Sequence, residues 1–203
     1  MIHESFSRQA PDSASASAVA SDSGWGPLGT LPGNPIMWIL IVSELAVFGA
    51  ALVGYAGARL RDPTGFVAAQ DSLDRIAGAV NTAVLLTSGL FAALAVEARR
   101  ADRRAAGRWL LLTAALLGCV FLGVKGSEYA RELAAGHDID SHPFFMFYYL
   151  ITGFHALHVV LGLIILAIVA WFDSLENYET GAAFWHMVDL VWIVVFPCLY
   201  LMR

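Results

Sequence analysis

The chain has 203 residues, 58% of them hydrophobic and 14% charged, with a mean hydropathy of +0.65. Those values exclude an ordinary soluble domain and describe an integral membrane protein. The formal charge is −5, with most charged residues in connecting stretches, and no basic, aromatic-interleaved segment suggests a nucleic-acid binder.

Residues 1–32, with SRQAPDSASASAVASDSGWGPLG in the middle, lack the basic start and apolar run of a signal peptide and read as a disordered tail. The rest, 33–203, reads as one all-α domain. A helix needs about 20 apolar residues to cross roughly 30 Å of hydrocarbon. Runs of that kind place five spans at 36–58, 76–96, 109–129, 144–171 and 184–202. The expected fold is therefore a polytopic bundle of five transmembrane helices. Pro35 and Pro143 precede the first and fourth spans, where a helix start accepts proline. Pro197 lies inside the fifth and is expected to kink it or loosen its last turns. No internal repeat is evident, and five spans leave one helix unpaired in an inverted repeat, which argues against a carrier.

On span one, Glu44 shares a face with Ile41, Phe48 and Ala51, while Ala46, Ala50, Gly54 and Ala58 recur at every fourth position. A stripe of small residues lets another helix or an acyl chain approach closely. After span two, EARRADRRAAGR carries five arginines in one short connection. Dense positive charge in a short loop favours the cytoplasmic side, so the N-terminus is expected in the cytoplasm and the C-terminus outside. Span three ends with Lys125 and Glu128 at i, i+3, read as a snorkelling ion pair near the outer boundary. Cys119 and Cys198 fall in apolar runs and read as buried fillers, with no disulfide or CxxC metal site. Trp38, Trp109, Tyr129, Trp171 and Trp185 near span ends read as interfacial anchors.

Span four carries one polar stripe, Tyr148, Thr152, His155 and, slightly rotated, His158. Span five places His186 and Asp189 one turn apart, where a charged Asp at mid-depth costs about 3 kcal/mol on insertion scales. Counting rise along each span puts Glu44, His158, His186 and Asp189 within about 12 Å of the cytoplasmic boundary. A carboxylate beside an imidazole lowers a burial cost neither bears alone. The predicted cluster is thus Glu44, His155, His158, His186 and Asp189, acting as a structural or proton-linked clamp. The residue types also suit iron or zinc. A di-iron bundle, however, needs two Glu-x-x-His motifs, and two histidines on one helix face cannot supply both axial ligands of a haem. A haem- or metal-binding redox protein and a small transporter stay open as alternatives.

Taken in order, SELAVFGA (43–50), NTAVLLTSG (81–89), GCVFLGVKGSEYA (118–130), FFMFYYLITGFHALHVVLG (144–162) and ETGAAFWHMVDLVWIVVFPCLYL (179–201) resemble subunit III of the haem-copper oxidases. WHMVDLVWIVVFP and VKGSEYA look closest to the short, five-helix group associated with nitric oxide reductase. The resemblance implies a non-catalytic subunit with no cofactor of its own. Such a subunit packs on a catalytic subunit holding haem and copper or iron, binds phospholipid, and supports assembly, stability and proton uptake. It also implies the bacterial inner membrane. Glu44, His155, His158, His186 and Asp189 match family motifs as structural or proton-linked positions.

Overall fold

The computed structural model describes residues 35–202, so the tail predicted at 1–32 lies outside the described residues. Six helices follow in order: α1 (Pro35–Arg61), α2 (Pro63–Gln70), α3 (Arg75–Arg100), α4 (Arg104–Ala134), α5 (Pro143–Phe172) and α6 (Leu175–Phe196), with a wide π-helical turn over Pro197–Leu201. All except α2 are long and apolar enough to cross a membrane, giving the five expected spans. No strand occurs among the described residues.

The first four spans run past both expected ends and the fifth past its expected start, because caps and not hydropathy set where a helix begins. The Asp74 carboxylate accepts the Ala77 amide at 2.9 Å to start α3, and His142 Nδ1 accepts the Phe144 amide at 3.0 Å to start α5. Such contacts satisfy amides that the first helical turn leaves without partners. Asp173 closes α5 in the left-handed region at φ 42°. The largest correction is at α6, which starts at Leu175, nine residues before the apolar run. Ser174 Oγ accepts the Asn177 amide at 3.2 Å, so the polar stretch ENYET continues the helix. His186 and Asp189 consequently lie about 16 and 21 Å along α6 instead of in its first turns.

The short α2 escapes a search for apolar runs because it has only eight residues. Pro63 opens it, and Asp62 Oδ1 accepts the Gly65 amide at 3.0 Å. The His142 imidazole approaches Asp62 Oδ2 at 3.3 Å, joining α2 to the start of α5. The Gly65 amide, then His142, hold the Asp62 carboxyl below the ordinary carboxylate range. A lowered pKa makes the cap's contribution complete above the ordinary value and removes it as pH falls through the folded-state value. Hydrogen exchange at the Gly65 amide is therefore expected to stay protected above about pH 5 and to lose protection below about pH 4. Asp62→Asn should abolish that pH dependence, and an unchanged profile would refute the cap.

Helix α6 is the hub, with 61% of its span buried against 11% for α1. Trp185, expected at the interface, is instead fully buried, and its indole N–H donates to Ser88 Oγ on α3 at 3.1 Å. The ring lies over Gly118 of α4 on one side and Gly162 of α5 on another. Tyr129 is also drawn inward, hydrogen-bonded to Thr152 Oγ1 at 2.6 Å. Trp109 and Trp171 remain exposed as anchors should.

Helix α1 also departs from expectation. Its packed face carries Ile41, Phe48 and Tyr55, whereas Ala46, Ala50 and Gly54 are exposed. Phe48 lies 5.1 Å from the Phe154 ring and 5.5 Å from the His158 ring, between centroids. Aromatic contact area and a polar pair outweigh the close approach an alanine stripe permits. Within the chain, Gly54 lies beside Phe147 and Ala58 packs against the core, while Ala46 and Ala50 face outward. Pro197 behaves as expected: α6 ends at Phe196 and widens into the π turn, since proline offers no amide to the helical ladder. Both cysteines are free, but Cys119 is exposed and Cys198 half-buried, so neither is the buried filler expected of an apolar run.

Candidate functional site: three polar stations inside the bundle

The first station is a buried charge cage around Lys125. Its ammonium donates to Tyr200 Oη at 2.8 Å, Tyr148 Oη at 3.1 Å and Glu128 Oε2 at 3.3 Å. An ammonium has three donors, and all three are used. The two phenols in turn donate to Glu128 Oε1, at 2.8 Å from Tyr148 and 2.5 Å from Tyr200. The rings of Tyr148 and Tyr129 lie 4.7 and 5.1 Å from the ammonium, within cation–π range.

This corrects the snorkelling reading, since each side chain of the pair is only 3% exposed. Snorkelling requires the charged head to reach water along its stem. Here α4 continues two turns beyond Lys125, and Tyr200 closes the route from above. The π turn after Pro197 delivers Tyr200, and Gly78 of α3 admits it: a Cβ there would meet Phe196 at 2.9 Å and Tyr200 at 3.1 Å. Tyr148 was legible in the polar stripe of span four, but nothing in the residue spacing marked Tyr200. One turn further out, Glu132 Oε2 meets His137 Nδ1 at 2.8 Å, a pair that no residue spacing marked.

The second station joins α1 to α5. Glu44 Oε2 lies 3.0 Å from His158 Nε2, and the other ring nitrogen of His158 faces the Phe154 carbonyl at 2.8 Å. The pair is partly buried, at 19% and 10% side-chain exposure. Because so little of α1 is otherwise buried, this contact anchors it. Glu44→Ala is expected to cost about 1 to 3 kcal/mol, the range for leaving a largely buried polar group, here His158 Nε2, without its partner. Cysteine crosslinking between α1 and α5 would read that loss as a lower yield, and an undiminished yield would refute the anchor.

The third station is the expected turn on α6, with His186 Nδ1 3.7 Å from Asp189 Oδ2. Asp189 is buried, and His186 is 46% exposed. Both pack toward Gly89 of α3, where a Cβ would have no room beside the Asp189 carboxylate.

His155 joins none of these. It is fully buried, stacked on Trp192 at 4.9 Å and edge-on to Phe121 at 5.7 Å, and neither ring nitrogen has a hydrogen-bond partner among the described residues. The predicted cluster is thus two carboxylate–imidazole pairs and a separate aromatic-packed histidine. Helix α1 docks on α5, which brings Glu44 to His158, while His186 and Asp189 face α3. No group of three His, Cys, Asp or Glu side chains is placed to hold a metal ion among the described residues. Aromatic rings pressed on both sides of His155 leave no room for a haem plane there.

A family profile described as cytochrome c oxidase subunit III matches residues 36–203. Cytochrome c oxidase subunit 3 of Thermostichus vulcanus is 29% identical over 178 residues, covering 81% of this chain and 84% of that protein. Cytochrome bo(3) ubiquinol oxidase subunit 3 of Pseudomonas aeruginosa is 29% identical over 181 residues, covering 84% and 86%. Heme-copper oxidase subunit I+III of Aeropyrum pernix is 30% identical over 188 residues, 81% of this chain and 22% of that much longer protein. With its five apolar helices and a profile match reaching from the start of α1 to the last residue, the chain belongs to the cytochrome c oxidase subunit III family.

Proposed function

We propose that this chain is the non-catalytic third subunit of a haem-copper respiratory complex, docking in the membrane against the catalytic subunit that holds haem and copper or iron. The observation that carries the reading is the family match over residues 36–203. The Aeropyrum relative, named as subunits I and III in one protein, supports a place beside the catalytic subunit. The polar geometry fits a supporting role. Glu44 and His158 tie α1 to α5, and the Lys125 cage ties α4 to α5 and to the turn after α6. These contacts give assembly and stability, and the exposed small-residue face of α1 offers a seat for the partner or for phospholipid. Groups that can take up protons, Glu44 with His158 and His186 with Asp189, support proton supply to the partner.

The dense arginine loop supports an N-terminus in the cytoplasm and a C-terminus outside, and the likeness to the Pseudomonas aeruginosa subunit supports the bacterial inner membrane. The likeness of VKGSEYA and WHMVDLVWIVVFP to the nitric-oxide-reductase-associated group supports a narrower reading, in which the partner reduces nitric oxide. The experiment is a pull-down of the tagged chain from native membrane. The expected result is a stoichiometric haem-copper catalytic subunit, whose oxygen or nitric oxide turnover then assigns the acceptor. Recovery of the chain alone with its own stoichiometric haem would overturn the assignment.

A further inference from the structure

A cavity of about 570 Å³ opens between α1, α3 and α6. Its size is that of a pocket for one small organic molecule. Ile41 and Leu45 of α1 face Met187 and Leu190 of α6 across it, and His186 is the polar side chain in this apolar stretch of wall. The mouth is charged, lined by Glu97 and Arg100 of α3 and Glu179 of α6.

The mouth decides what can enter. The Arg100 guanidinium is held by Glu179 at 2.9 Å and approached by Glu97 at 3.8 Å. One cation lies between two carboxylates, so a phosphate head group would find that arginine already paired and would meet Glu97 and Glu179 beside it. An anionic phospholipid is disfavoured on that ground. A neutral head passes without such repulsion.

The interior decides where the head rests. His186 lies two turns below Glu179 on the same face of α6, about 10 Å deeper. Asp189 Oδ2 approaches Nδ1 of the ring at 3.7 Å, an electrostatic contact that biases its orientation and leaves Nε2 for a ligand. Nearly half of this imidazole is exposed, on the most buried helix of the bundle. A polar group projecting into an apolar pocket orients a ligand that carries a matching donor or acceptor.

We propose that this cavity binds a neutral amphiphile with a hydroxyl- or carbonyl-bearing ring and an apolar tail, the chemistry of a membrane quinol or quinone, with its head hydrogen-bonded to His186 Nε2. The site lies within one chain and goes beyond the assembly reading, since it needs no partner subunit. The tail runs along Leu45 and Leu190, and Asp189 acts as a positioning residue for the imidazole.

The test uses the full chain in phosphatidylcholine nanodiscs. An azido-ubiquinone photolabel is competed with decylubiquinol, and labelled peptides are mapped by mass spectrometry. Saturable labelling is expected on the α1 and α6 segments that contain Leu45 and Met187. His186→Ala should raise the decylubiquinol concentration for half-protection about tenfold, the weight of one lost hydrogen bond. Ala93→Trp, at an exposed position on the cavity wall, should abolish protection while the thermal unfolding of the chain is unchanged. Unsaturable labelling spread over the lipid-facing helices would overturn the proposal as bulk partitioning. Equal protection by phosphatidylglycerol would overturn it in favour of a phospholipid, and full protection retained in His186→Ala would overturn the role of the imidazole.

Discussion

Lys125→Met is expected to destabilise the chain by about 3 to 5 kcal/mol, the cost of removing one partner from a buried ion pair. The reason is the Glu128 carboxylate that stays behind. Tyr148 and Tyr200 still donate to its Oε1, but Oε2 loses the ammonium that was its donor. The cage is 3% exposed on both sides, so water does not replace what is lost. Two phenols also lose the proton donor that oriented them. The double variant Lys125→Met, Glu128→Gln should recover most of the loss, because a neutral pair of similar volume removes the stranded charge. Unfolding titrations in mixed micelles, followed by loss of helical circular dichroism, give both values and their coupling. A loss below about 1 kcal/mol, the range of a surface pair, would show that water reaches the cage.

Much of this architecture is legible in one sequence because the bilayer enforces it. Backbone groups in hydrocarbon must bond within their own segment, so a long apolar run is a helix and little else. Contacts within one turn are equally legible: Lys125 with Glu128 and His186 with Asp189 were both read from i, i+3 spacing. Depth placed Glu44, His158, His186 and Asp189 in one group, but it could not show that Glu44 meets His158 while His186 and Asp189 stand apart on α6. Reading failed where a residue's surroundings come from several helices at once. Trp185 near the start of an apolar run looks like an anchor, and only the convergence of Ser88, Gly118 and Gly162 around it makes a closed pocket. Tyr200 follows a proline that breaks the helical period, so counting by 3.6 cannot place it in the Lys125 cage. On α1 two faces were legible, the Glu44 and Phe48 face and the alanine stripe, but which of them the bundle uses was not: α5 offers Phe154 and His158, which suit the aromatic face and leave most of the stripe open.

Trp185→Ala is expected to cost about 3 to 5 kcal/mol, as for a large aromatic removed from a packed core. The indole touches α3, α4 and α5 from α6, so its loss leaves a void where four helices meet. A Cβ at Gly162 would lie 2.6 Å from Trp185 Cε3, and one at Gly118 2.7 Å from Cη2. Neither helix can carry a side chain there while the ring is in place. Gly162→Ala alone should therefore cost about 1 to 3 kcal/mol through overpacking. In the Trp185→Ala background the same methyl enters the void, and its cost should fall below about 0.5 kcal/mol, the scatter of independent sites. Ser88 keeps its own acceptor, the Ala114 carbonyl at 2.6 Å, so the lost indole leaves no orphaned hydroxyl to confuse the cycle. Strict additivity of the two substitutions would mean that the ring is not what holds Gly162 bare, and the glycines would then owe their place to backbone contact between α4 and α5.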